Sequence, residues 1–188
     1  MGVGQAVEVL VGQRLGENRL DLAERSVWKG LWVAMLFCAK TILLYLLLPG
    51  PLADLFQSTR EPETWDQVRP LVQPLLRFVC IYCIFDGMNL VFSFALRGAG
   101  DTRFVTYVAL ALTWPLMVLP TWIACYLQVN LFWPWTFSTL YIITLAVIYF
   151  CRFRQGRWKT MRVIEQTVAP AIAEQTAGVE AAGTIGEM

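Results

Sequence analysis

The chain of 188 residues contains no histidine. That excludes histidine-based catalytic triads, most zinc centres and the usual switch at physiological pH. Charge is scarce. Asp, Glu, Lys and Arg make up 15% of the residues and hydrophobic types 57%, where a soluble domain has about 25% charged and about 45–50% apolar residues. An ordinary cytosolic globule and a disordered chain are both excluded. Net charge is only +1, so no basic surface calls for nucleic acid. No nucleophile–base set or metal cluster stands out, so neither an enzyme nor a bound cofactor is expected.

A disulfide framework is also absent. Cys38, Cys80, Cys83, Cys125 and Cys151 lie inside or at the edge of apolar runs. Cys80-Ile-Tyr-Cys83 spells CxxC but lacks a polar setting and a second pair. Buried thiols are the expectation.

What the chain has is long apolar runs and aromatic residues. Leu31–Leu48 is interrupted only by Lys40. Leu71–Leu96 contains Arg77 and Asp86. Phe104–Val129 has no charge but holds Pro115 and Pro120, and Leu131–Phe150 is uncharged. Each approaches or exceeds the ~20 residues that cross a ~30 Å hydrocarbon layer. Strict alternation is missing, so strands are not expected. The expected fold is all-α: a polytopic membrane helix bundle with four full transmembrane helices at about 27–48, 70–96, 103–128 and 130–151. Met1–Val11 is mildly apolar, too short to span, and unlike a signal peptide. It reads as the last part of a truncated N-terminal helix. Residues 163–188 hold no Lys or Arg and read as a disordered cytoplasmic tail after a helical unit over 1–162.

Lys and Arg set the orientation. Gly12–Gly30, Arg97–Arg103 and the segment after Phe150 share one side and hold eleven basic residues; the other side holds Arg60 and Arg69. The first side, with the C-terminus, is expected in the cytoplasm. Trp122, Tyr126, Trp133 and Trp135 then mark the outer interface, and Trp28 and Trp32 the inner one.

Asp86 lies eleven residues before Arg97, ~16 Å from the inner end of its helix at ~1.5 Å per residue. A carboxylate near the bilayer middle costs ~2.5–3.5 kcal/mol on insertion scales, and such a residue faces a cavity, pairs with a cation or carries a proton. Tyr82, Asn89 and Ser93 fall on the same helix face. These oxygen donors form a candidate cation-binding stripe, suited to Na⁺ or H⁺, with no other metal expected. Interhelical hydrogen bonding for packing is the competing reading. Glu8 and Lys40 are candidate cavity charges. Glu8 is alternatively a residue near a cut edge, and Lys40, like Arg77, can snorkel outward. Pro115 and Pro120 should kink their helix. Gly12-Gln-Arg-Leu-Gly16 matches GxxxG, but Arg14 disqualifies it as a buried dimer face. Gly98-Ala-Gly100-Asp101 reads as a helix C-cap and turn, with Asp101 or Thr102 capping the next helix.

Together these pieces resemble the C-terminal lobe of the multidrug and toxic compound extrusion (MATE) transporters, NorM-like branch. Val11-Gly-Gln-Arg-Leu-Gly-Glu-Asn18 is similar to a segment following the family's eighth span. Asp86-Gly-Met-Asn-Leu-Val and the turn Leu96-Arg97-Gly98-Ala99-Gly100-Asp101-Thr102 resemble its tenth span and exit. Arg152-Phe-Arg-Gln-Gly-Arg-Trp158 resembles the end of its twelfth. The resemblance implies twelve spans in two lobes and alternating access. It implies a multi-pass protein of the inner (plasma) membrane that exports small organic, often cationic, compounds against Na⁺ or H⁺. Asp86 and Tyr82 would serve its C-lobe cation site. This chain would hold the end of span eight and spans nine to twelve, and would need the missing N-terminal lobe to transport. A lipid-linked oligosaccharide flippase of similar architecture, which should carry more cavity cations, and a non-transporting structural membrane subunit are the alternatives.

Overall fold

The computed structural model describes residues 1–54 and 62–160. The tail expected over 163–188 lies outside the described residues. Among the described residues every regular element is helical. A first helix, α1, covers Gly2–Gly16, followed by α2 (Leu20–Leu47), the short α3 (Pro49–Asp54) and α4 (Pro62–Gly98). Next come α5 (Thr102–Thr113), a π-helical turn over Trp114–Val118, α6 (Leu119–Tyr126), α7 (Phe132–Arg154) and a 3₁₀ turn over Arg157–Thr160. Among the described residues four stretches are long and apolar enough to cross a membrane: Leu20–Leu47, Arg69–Gly98, Thr102–Tyr126 and Phe132–Arg154. The chain is thus a polytopic helical bundle. Two helices run well past their apolar runs. α2 starts at Leu20 rather than near residue 27 because Ala23 and Val27, one turn apart, are fully buried and hold the polar first turns against the core.

α4 is the central element, with α1 and α2 on one side and α7 on the other. The buried core joins Val7 and Val11 of α1, Ala23 and Val27 of α2, Val91, Phe92, Ala95 and Leu96 of α4, Val105 of α5, and Leu145, Tyr149 and Phe153 of α7. It gathers at the basic end of the bundle. Phe92 lies 6.2 Å from Trp28, 5.3 Å from Phe150 and 5.4 Å from Phe153. Gly156, at φ 72°, turns the chain back after α7 in a geometry that glycine adopts without strain. Trp158 then lies flat on Phe153 at 5.0 Å, and its Nε1–H donates to the Phe153 carbonyl at 2.9 Å. Beside it, Lys159 pairs with Glu24 of α2. Trp28 therefore belongs to the aromatic core and not to an interfacial belt, because its turn of α2 faces α4 and α7. Trp32, one turn on, is 77% exposed.

α1 meets α4 along a line of missing side chains. A Cβ on Gly4 would lie 2.6 Å from a Leu90 methyl, and one on Gly12 would lie 3.3 Å from the Gly98 carbonyl. One on Gly98 would run into the Glu8 backbone. Gly12 therefore serves a close crossing within the chain, whereas Gly16 faces open space. Small residues let backbones approach where apolar solvent supplies no drive for association.

The turn after α4 closes as a Schellman motif: Asp101 N–H donates to the Leu96 carbonyl and Gly100 N–H to the Arg97 carbonyl, both at 2.9 Å. Gly100 takes the left-handed conformation, φ 91°, as the motif requires. Gly98 is present for the α1 contact instead. Asp101 stands at the N-cap of α5 but makes no side-chain cap bond. Its carboxylate accepts from Arg152 Nε of α7 at 2.8 Å, and the Arg152 guanidinium also covers the Phe104 ring at 4.4 Å.

The outward faces are apolar. Tyr126 is 76% exposed and stacks on Trp122 at 5.9 Å, as fits a surface solvated by lipid. Cys125 and Cys151 are exposed, against the expectation of burial, because they sit on such outward faces; Cys38 and Cys83 are half-buried and only Cys80 is buried.

Candidate cation site and adjoining cleft

Asp86 sits half-buried in the middle of α4. Helical spacing brings Tyr82 one turn before it and Asn89 one turn after. The Asn89 side chain lies beside the Asp86 carboxylate. Its carbonyl oxygen, Oδ1, is buried and has no partner. Across the helix pair, the Cys38 thiol of α2 donates to the Cys83 carbonyl at 3.3 Å. A Cβ on Gly87 would lie 2.8 Å from the Met35 methyl and 3.1 Å from Cys38 Sγ, so glycine beside Asp86 is what admits α2 to this point. Among the described residues no basic side chain pairs with Asp86. The patch offers a carboxylate, an unpartnered amide oxygen and a phenol. These are hard oxygen donors, the kind that hold an alkali cation, and a carboxylate also takes a proton.

Ser93 is separated from this group. It is buried, and its hydroxyl donates back to the Leu90 carbonyl at 3.0 Å. Glu8 is half-buried and lies against Gly98, twelve residues along α4 from Asp86, or ~18 Å at helical rise. Lys40 and Arg77 are exposed. Asp86, Tyr82 and Asn89 thus come together; Ser93, Glu8 and Lys40 do not join them. In the turn, Arg97 is exposed over Phe94, Gly98 and Gly100 serve the helix crossing and the chain reversal, Asp101 is tied to Arg152, and Thr102 begins α5.

Tyr82 also faces a second feature, a cleft of about 600 Å³ lined by Val79, Tyr82, Met117, Trp135, Ser138 and Tyr141 among others. Met117 comes from the π turn and the last three from α7. The Tyr141 hydroxyl bonds Thr113 Oγ1 at 3.0 Å, and Thr113 donates to the Ala109 carbonyl at 2.6 Å. Tyr82 therefore connects the carboxylate patch to an aromatic, uncharged chamber.

The sequence signature of the MatE family matches residues 1–123. The chain belongs to the MatE family. It is 32% identical over 114 residues to a probable multidrug resistance protein NorM of Pasteurella multocida, an alignment covering 61% of this chain and 23% of that protein. It is 30% identical over 121 residues to the multidrug resistance protein MdtK of Edwardsiella ictaluri, covering 64% of this chain and 25% of that one. The chain spans about a quarter of the length of these curated relatives. No solved structure matches. The MatE match includes α1 to α5, the π turn and half of α6, and so Tyr82, Asp86 and the turn after α4. Arg152, Tyr141 and Trp158 lie beyond it. Residue-by-residue reading of the sequence gave none of these three its structural role, because each acts through a partner 28 or more positions away or through a chain reversal. The basic and aromatic residues clustered just after a charge-free run were the available signal.

Proposed function

We propose that this chain is the ion-coupling part of a multidrug efflux antiporter. In this reading Asp86 alternately takes Na⁺ or H⁺, and the whole transporter exports small organic compounds in exchange. The observation that carries the reading is the buried, unpartnered Asn89 Oδ1 beside the Asp86 carboxylate. A buried acceptor without a donor costs about 1–3 kcal/mol, and a cation held by Asp86 would recover it. Tyr82 supplies a third, neutral ligand. A bare carboxylate in the membrane interior costs ~2.5–3.5 kcal/mol; loading by proton or Na⁺ removes that charge. Loaded and empty states then favour different packings, which is the condition for an ion to bias the direction the site faces. Proton and Na⁺ compete for the same group. The apolar, aromatic cleft beside Tyr82 suits the exported compound. Export itself requires the N-terminal lobe that the longer relatives' lengths leave room for, and the basic end of the bundle faces the cytoplasm of a multi-pass protein in the inner membrane.

The test is Na⁺- or ΔpH-driven efflux of a cationic dye from proteoliposomes holding the complete transporter. Asp86→Asn keeps shape and hydrogen bonding but removes the titratable charge. Expression and insertion should be preserved and coupled efflux should fall to background. Tyr82→Phe, which removes one neutral ligand, should weaken it less. Full coupled efflux by Asp86→Asn would reduce Asp86 to a packing residue.

A further inference from the structure

The third span is broken by a π turn, and three independent features surround it. The first is its hydrogen bonding. Leu119 N–H reaches back five residues to the Trp114 carbonyl. In α-helical register the same N–H would meet the Pro115 carbonyl. The donor that could serve Pro115 in π register is residue 120, and Pro120 has no N–H. The π register thus leaves the Pro115 carbonyl without a donor; in α register Val118 and Leu119 would serve Trp114 and Pro115, and Pro120 would leave the Leu116 carbonyl without one instead. Neither register gains a bond over the other. One turn on, the Thr121 hydroxyl is buried without a partner, where other threonines of this chain donate to the carbonyl four residues back, as Thr139 does at 2.8 Å.

The second feature is space on both sides. Met117 looks into the cleft of about 600 Å³ with Tyr82. Pro115, Leu119 and Pro120 line another of about 530 Å³ with Trp133 and Phe137. Close packing is what normally holds a helix to one conformation, and the turn has an open cleft on each flank.

The third is unequal anchoring. α5, before the turn, is tied to α7 by three polar links. Asp101 accepts from Arg152, the Val105 carbonyl accepts from Tyr149 Oη at 2.8 Å, and Thr113 bonds Tyr141. Among the described residues no side-chain hydrogen bond or ion pair ties α6 to α7.

We propose that Trp114–Val118 is a built-in hinge at which α6 changes register between π and α while α5 stays fixed to α7. The turn's extra residue is taken up or released, which rotates α6 by about one residue, ~100°. Met117 is thereby driven into or out of the cleft at Tyr82. The hinge sets the size of that chamber, so this inference deepens the efflux reading but does not depend on ion binding at Asp86.

The experiment measures distances in the chain in lipid nanodiscs by pulsed electron spin resonance, with the other cysteines replaced. One nitroxide sits at native Cys125 on α6 and its partner at Ile84→Cys on α4; a control pair joins Tyr107→Cys on α5 to Ile84→Cys. With a label about 5–6 Å from the helix axis, a ~100° rotation displaces it by roughly 8 Å. The 125–84 pair should show two populations separated on that scale, and the 107–84 pair one. One narrow 125–84 distance in the unaltered chain would overturn the hinge, and so would α5 and α6 labels moving together. Coupled efflux lost in Asp86→Asn with both populations intact would separate the hinge from the ion site.

Discussion

Replacing Arg152 by Met is expected to destabilise the bundle more than Asp101→Asn. The Asp101 side chain is 9% exposed and that of Arg152 14%, and they meet at 2.8 Å. Removing one partner of a buried pair costs about 3–5 kcal/mol because the other charge is stranded. Arg152 also covers Phe104 at 4.4 Å, worth about 0.5–2 kcal/mol. Against this, Asp101 already stands at the N-cap of α5. Once released, its carboxylate can turn to the free N–H groups there, recovering about 1 kcal/mol. The net expectation for Arg152→Met is about 2.5–6 kcal/mol. Asp101→Asn keeps an acceptor for Arg152 Nε, and the guanidinium can reach water, so about 1–2 kcal/mol is expected. The assay is reversible unfolding in mixed micelles followed by Trp fluorescence. Arg154→Met, at an exposed position of the same helix end, is the control. Arg152→Met no costlier than Arg154→Met, or no costlier than Asp101→Asn, would refute the reasoning.

Other outcomes follow from the same geometry. Trp158→Ala removes a ring 1% exposed and should cost about 3–5 kcal/mol, read in the same unfolding assay, whereas Trp32→Ala on the outward face should stay within about 0.5 kcal/mol. Gly98→Ala drives a methyl into the Glu8 backbone, which cannot yield as a side chain does, so about 1–3 kcal/mol is expected; Gly16→Ala, with nothing near, should be neutral or slightly stabilising. For topology, Val129→Cys and Thr160→Cys, in a chain otherwise free of cysteine, are exposed to a membrane-impermeant maleimide on intact cells. Position 129 should label and 160 should not, and the reverse pattern would invert the proposed orientation.

Much of the architecture was legible in the chain. Runs of about 20 apolar residues have one solution in lipid, because only helices and closed barrels satisfy every backbone group there, and alternation was missing. Asp86 was legible for a related reason: a carboxylate inside such a run is costly enough to need a purpose. Its immediate neighbours Tyr82 and Asn89 follow from helical spacing alone. Spacing also named Ser93, but only packing decides whether a hydroxyl on the right face looks outward or bonds its own backbone, as Ser93 does. The prolines announced a broken helix, yet not that the break is a π turn with Thr113 bonded to Tyr141 of α7 before it and an open cleft on each flank. Asp101 had the chemistry of a helix cap. It serves instead as the anchor for a side chain 51 residues away, because a guanidinium in a half-dry site binds a carboxylate more strongly than a backbone amide does. Local periodicity is written in the sequence, since it needs only neighbours within a turn. Which faces meet, where backbones cross at Gly98 and which helix half carries the polar links to α7 are set by contacts between distant segments, and those exist only once the helices pack.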